Sequence, residues 1–227
     1  EEHAEAVNFL STDAVVERII KPCSKATKLY DPDPKGQAVI EMAHEQHRGL
    51  PTFFLSHAWR QTFSVNAGRP AEYRGGFMQA VQHKIPEAER SSTFVWHDLF
   101  CVNQHLRSPH GGLLAFAFEP LWNAMSCCER VLLFMETWDD PAPLGRVWCL
   151  DELRTALLLN KPVEVILPAP AIATLRKRAE EEREALLEDI DRVVDRVDIN
   201  HASATFRADR DYVLQIVEST IGADALN

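Results

Sequence analysis

The chain has 227 residues, 46% of them hydrophobic, enough for one domain of ordinary size with appendages and a sizeable core. Its net charge of −10 argues against a nucleic-acid footprint, which needs clustered Lys and Arg. No apolar run approaches the roughly 18 residues that span a membrane, and five cysteines without a C-x-x-C pair fit a reducing compartment. The start shows no basic region, apolar core and cleavage site, so a cytoplasmic location is expected; beginning at Glu1 rather than Met, the chain reads as a fragment of something longer.

From Ser11 the pattern predicts a compact helix to Lys21. Ser11 or Thr12 caps it, Val15, Val16, Ile19 and Ile20 form its apolar face, and Pro22 ends it. Asp31-Pro32-Asp33-Pro34-Lys35-Gly36 reads as a rigid turn, followed by a short, weakly periodic helix over 37–47. His44 and His47 lie three apart, but no Cys or carboxylate stands at ligand spacing. They are read as surface histidines, and no metal centre is expected. Residues 1–50 thus form an N-terminal helical arm.

From Pro51 strands and helices alternate. Thr52–Leu55 is a buried strand, and the long polar loop of 60–76 has the length of a functional or mobile one. A helix over 77–83 and a second strand over 92–98 follow. The next helix, 111–128, contains Pro120, which should break or kink it. A third strand covers 130–135. Leu150, Leu153, Leu157 and Leu158 then recur at helical spacing, and a fourth strand spans 163–167 beyond Pro162. This alternation predicts βαβ units and a doubly wound, flavodoxin-like parallel sheet over 51–170, covered on both faces. One long helix, 172–197, and a closing helix, 209–221, make up the C-terminal region, 171–227.

In such a sheet, ligands bind beyond the carboxyl ends of the strands. Ser56, His57, Trp59 and Arg60 leave the first strand there, Asp98 and Phe100 the second, and Glu152 opens a nearby helix. Trp148 and Glu152 are four apart and share a helix face, where an indole can stack on a flat aromatic cation while the carboxylate meets positive charge on an adjacent sugar. Each residue also has a plainer reading. Trp148 and Trp59 can be core, Glu152 a solvated charge, Asp98 the cap of the next turn and His57 a satisfied histidine. Neither G-x-G-x-x-G nor a P-loop occurs, so a diphosphate would fall to Arg60 or Arg146 and backbone N–H groups.

The string Trp148-Cys149-Leu150-Asp151-Glu152-Leu153, followed by Arg154-Thr155-Ala156, resembles the helix that carries the catalytic glutamate of TIR domains, especially those of plant immune receptors. Thr52 to Arg60 is similar to the first TIR strand and Thr93 to Phe100 to the second, with its terminal Asp. The resemblance covers roughly 50 to 170. It implies a TIR-like fold and cleavage of the nicotinamide–ribose bond of NAD⁺, which is substrate rather than cofactor. Glu152 is then catalytic, Trp148 holds the nicotinamide, and Ser56, His57, Trp59, Arg60, Asp98 and Phe100 surround the nucleotide. Head-to-tail self-association with other TIR domains and a signalling or innate-immunity role are implied as well. Residues 138–145 lack the Ser-x-x-Tyr/Phe-x-x-Ser run typical of plant TIRs, and 102–112 also differs. Two other readings stand beside this one: a non-catalytic TIR scaffold with Glu152 a relic, and an N-ribosyl hydrolase or transferase acting on another base.

Overall fold

The computed structural model describes residues 11–25, 38–63, 76–105 and 114–222, with the side chains of the last segment described from Leu121. The turn expected at 31–36, most of the long loop after Arg60 and the end of the loop after the second strand lie outside them. In the arm, Ser11 accepts the Ala14 N–H and caps α1 (Thr12–Val15). The helix then widens into a π turn, Val16–Ile20, and continues as α2 (Lys21–Ser24). Pro22 therefore does not stop it. Behind the wide turn, in which Lys21 N–H reaches back five residues to Val16, proline occupies a first-turn position that needs no donor. The single helix expected over 37–47 is instead α3 (Val39–Met42) and a 3₁₀ turn (Glu45–His47), because Ala43 and His44 are extended.

The core is a four-stranded, all-parallel sheet. β1 (Phe53–Ser56) lies beside β2 (Val95–Trp96) and β3 (Arg130–Phe134), and β4 (Val163–Ile166) closes the order β2-β1-β3-β4. Successive strand residues point to opposite faces, so each face has its own helices. Leu55, Leu132, Phe134 and Ile166 pack on Phe77, Ala80 and Val81 of α4 (Phe77–Lys84). After β2 the chain turns at once into α5 (Asp98–Cys101). The second strand is thus shorter than expected, and Asp98 opens a helix rather than ending a strand, with His97 Nδ1 accepting the Leu99 N–H as cap. α6 (Leu114–Cys127) runs through Pro120 without interruption. Its Leu121 and Met125, with Ala156 of α7 (Val147–Leu158), cover Phe54, Trp96 and Val131 on the second face. That cover stops short of β4, where Val163 and Val165 are exposed. The fold is therefore α/β, with helices on both sides of a parallel sheet.

Asn160 ends α7 at φ 52°, the left-handed conformation that asparagine tolerates better than most residues. The long helix expected over 172–197 is two, α8 (Ala169–Glu181) and α9 (Arg183–Val194), broken where Glu182 leaves helical angles. α10 (Arg207–Thr220) returns to α7: Val213 and Val217 join Ile199 and Ala202 around Val147 and Leu150. A buried Arg154–Asp151 pair, Nε to Oδ1 at 2.7 Å, reinforces this contact, with Arg154 Nη1 reaching Thr220 Oγ1 at 3.5 Å.

Candidate functional site

A cavity of about 170 Å³ opens beyond the carboxyl ends of β1 and β2. β1 ends at Ser56, which is fully buried and donates from Oγ to Glu152 Oε2 at 2.5 Å. Glu152 reaches this position because the start of α7 is pinned from outside: the Val147 N–H, an orphan helix donor, is taken by Ser203 O at 3.0 Å. With Val147 and Leu150 held against α10, the same helix brings Trp148, which also packs at the edge of that contact, and Glu152 to the cavity. Cys149 donates its thiol to His57 O at 3.3 Å and ties the helix to the end of β1.

Glu152 is 8% exposed, so it is not the solvated surface charge of the plainer reading. Burial pushes its carboxyl well above the usual glutamate range; the Ser56 hydrogen bond opposes this, and the charges of Asp98 and Asp151 add to it. Oε1 makes no hydrogen bond among the described residues. Asp98 goes the other way. Burial raises it, but the His97 hydrogen bond, the His57 and His97 charges and the Trp59 Nε1–H bond at 2.6 Å together lower it to about 2. His57 is lowered to about 3, chiefly by burial and then by His97, with Asp98 only partly compensating, so it is neutral at ordinary pH. Cys149 is raised well above the ordinary thiol range, chiefly by burial, which makes it a poor nucleophile.

Six of the eight residues singled out from sequence meet here: His57, Trp59, Asp98, Trp148 and Glu152 line the cavity, and Ser56 holds Glu152 from beneath. Arg60 and Phe100 do not. Arg60 is exposed away from the lining, since the chain turns sharply after Trp59, with Gln61 N–H bonding Ala58 O. Phe100 points back into a ring cluster with His97 and Phe63, its short helix having turned it from the opening. Arg146 lines the cavity and donates to Ser203 Oγ and Thr205 Oγ1 at 3.3 and 3.1 Å.

The sequence reading missed the walls. Asp13 and Glu17 come from the arm, and Thr205, Phe206 and Asp209 from the entry to α10. Asp209 is 2% exposed and accepts from Trp148 Nε1 at 3.4 Å. An aspartate among the apolar positions of the closing helix was its only signal. Also missed was His97, which together with His57 and Asp98 gathers donor atoms within 4.8 Å of one another. Two imidazoles and a carboxylate suit a small cation such as zinc. Here the carboxylate already receives Trp59 and Leu99, with His97 Nδ1 3.1 Å from Oδ1, while the imidazoles pack on Phe77, and Nε2 of each has no hydrogen-bond partner among the described residues. Comparison with protein-family models, curated proteins and solved structures finds no match to the chain.

Proposed function

We propose that the chain is a TIR-like NAD⁺ glycohydrolase or cyclase, with Glu152 as the catalytic carboxylate. One observation carries this reading: a buried carboxyl group, held by Ser56 through one oxygen and without a hydrogen bond at the other among the described residues, lies in a cavity that the indole of Trp148 also lines. The strand order, β2-β1-β3-β4, agrees with the first four strands of the flavodoxin-like order, and the Trp-Cys-Leu-x-Glu-Leu string adds the TIR resemblance.

The arrangement suits a cationic leaving group. Glycosidases usually need a second carboxyl group as acid, because an alkoxide leaves. In an N-ribosylpyridinium, the C1′–N1 bond breaks with both electrons going to the ring nitrogen, and neutral nicotinamide departs. Water oxygen then bonds C1′ and gives its proton to solvent; in the cyclase variant, a nucleophile within the substrate takes the place of water. Ionised Glu152 stabilises the positive charge developing at C1′, and Trp148, oriented by Asp209, offers its ring to the nicotinamide. Ionised Asp98 and neutral His57 offer an acceptor and a ring at the β1–β2 side.

The resemblance extends the proposal to head-to-tail association of copies at the cavity mouth, in a signalling or defence setting. The test is incubation of purified protein with NAD⁺, followed by mass spectrometry. Release of nicotinamide with linear or cyclic ADP-ribose supports the reading. An unchanged NAD⁺ pool favours the scaffold alternative, and cleavage of another nucleoside alone favours an N-ribosyl hydrolase of different specificity.

A further inference from the structure

β1 and β2 are parallel neighbours in the sheet, so His57, the residue after β1, and His97, the residue after β2, meet at the carboxyl ends of the two strands. Their ring centroids are 4.5 Å apart, and the ring of Phe77 lies 5.2 and 4.9 Å from them. His57 is 5% exposed and His97 4%. Within this packing Nε2 of each imidazole is buried and has no hydrogen-bond partner among the described residues. Buried polar atoms are normally bonded, so two orphaned nitrogens in adjoining rings call for a ligand. A carboxylate stands with them. One donor atom each from His57, His97 and Asp98 lies within 4.8 Å of the other two.

We propose that His57, His97 and Asp98 form a binding site for a divalent transition-metal ion of the zinc class. Imidazole nitrogens suit zinc, copper and nickel, whereas magnesium and calcium prefer sites built of oxygen. In a tetrahedral zinc site neighbouring donors are about 3.4 Å apart, so the three have to draw together by at most about 1.5 Å. Their present hydrogen bonds allow it. His97 Nδ1 now accepts the Leu99 N–H at 3.0 Å, which puts the ring proton on Nε2. For Nε2 to bind an ion, that proton moves to Nδ1, where Asp98 Oδ1 at 3.1 Å accepts it. The Leu99 N–H is not stranded, because it already donates to the same Oδ1 at 2.7 Å. A metal-bound histidine whose other nitrogen donates to a carboxylate is a common arrangement. A carboxylate offers about four acceptor positions; Leu99, His97 and Trp59 then take three, which leaves one for the ion. His57 and Asp98 also line the cavity, so the ion enters from there and keeps its remaining position open to water or a substrate oxygen. The site stands whether or not NAD⁺ is the substrate.

The experiment is calorimetric titration of the purified, chelator-stripped protein with zinc chloride and, separately, with magnesium chloride. The wild type is expected to take up zinc at a single stoichiometric site and to bind magnesium far more weakly. His57→Gln and His97→Asn should each weaken the zinc site by at least about tenfold. Asparagine can still cap α5 through its side chain, so loss of zinc in His97→Asn is not loss of that helix. Zinc uptake equal in the wild type and both variants would be adventitious binding at exposed cysteines or histidines, and it rejects the proposal. Absence of a stoichiometric zinc site in the wild type, or magnesium binding as tight as zinc, rejects it too. If neither variant folds, the imidazole ¹⁵N resonances of the wild type decide: zinc has to shift the ring nitrogens of both His57 and His97, and unmoved signals overturn the proposal.

Discussion

At the scale of single residues, Glu152 and Ser56 form one unit. The carboxyl is useful in its ionised form, yet burial favours the neutral one, and the Ser56 hydrogen bond is what counters burial. Cleavage should therefore rise with pH through an acidic limb well above the ordinary glutamate range. Ser56→Ala removes the lowering contact, so the limb should move to still higher pH and the rate at neutral pH should fall, as a pH–kcat/KM profile would record. A limb that stays in place would mean that Ser56 supports the strand end and nothing more. Trp148 presents a separable case: Trp148→Phe keeps a ring and should retain part of the activity, whereas Trp148→Ala should raise KM strongly. Equal unfolding of both variants would assign Trp148 to the core alone. The pairing of Trp148 with Glu152 was legible from their spacing of four. That Glu152 is buried was not, because burial comes from Ser56, 96 residues earlier, and no local pattern encodes that contact.

At the scale of elements, α7 is positioned by the chain that follows it. Ser203 satisfies its first N–H, and the Arg154–Asp151 pair, 1% and 0% exposed, lies inside the contact with α10. Burial pushes the Asp151 carboxyl up despite the adjacent guanidinium, which shows how much this pair depends on staying intact. Arg154→Met should cost about 3–5 kcal/mol by leaving Asp151 buried and unpaired, and adding Asp151→Leu should recover most of the loss. Urea denaturation of the single and double variants measures both; full stability in the single variant would contradict it. The same scale explains where the sequence misled. Pro22 and Pro120 read as breakers, but a π turn prepares the first, and α6 runs through the second. The long helix of 172–197 breaks at Glu182 without Gly or Pro, so composition carried no sign of it. The strands, by contrast, were readable within a residue or two: β1 and β3, buried on both faces, read as unbroken apolar runs, and β4, though Val163 and Val165 are exposed, reads from its β-branched residues behind Pro162.

At the scale of the whole molecule, the cavity is walled by parts far apart in sequence: the arm, the ends of β1 and β2, the start of α7 and the entry to α10. Proposed head-to-tail association would act on the mouth of this cavity, excluding water and strengthening the field of its carboxylates. Specific activity should then rise with protein concentration across a dilution series followed by light scattering; a constant value from a persistent monomer would contradict association. The arm and α10 could not be assigned to the site from sequence, since their contribution exists only after α7 and the segment after Trp59 have docked them. The central claim, that Glu152 is the catalytic carboxylate, rests on a group whose ionised form burdens the fold. Below the usual glutamate pKa the group is neutral in both the folded and unfolded states. Above it the unfolded chain releases its proton first, so stability falls as pH rises toward the raised folded value. Glu152→Gln should relieve that burden and remove the chemistry together. The decisive measurement is nicotinamide release from NAD⁺ at neutral pH by wild type and Glu152→Gln, with thermal unfolding followed on the same samples. The account predicts release by the wild type and none by a Glu152→Gln variant that unfolds at the same or a higher temperature. Equal release by both, or none by either, would contradict it.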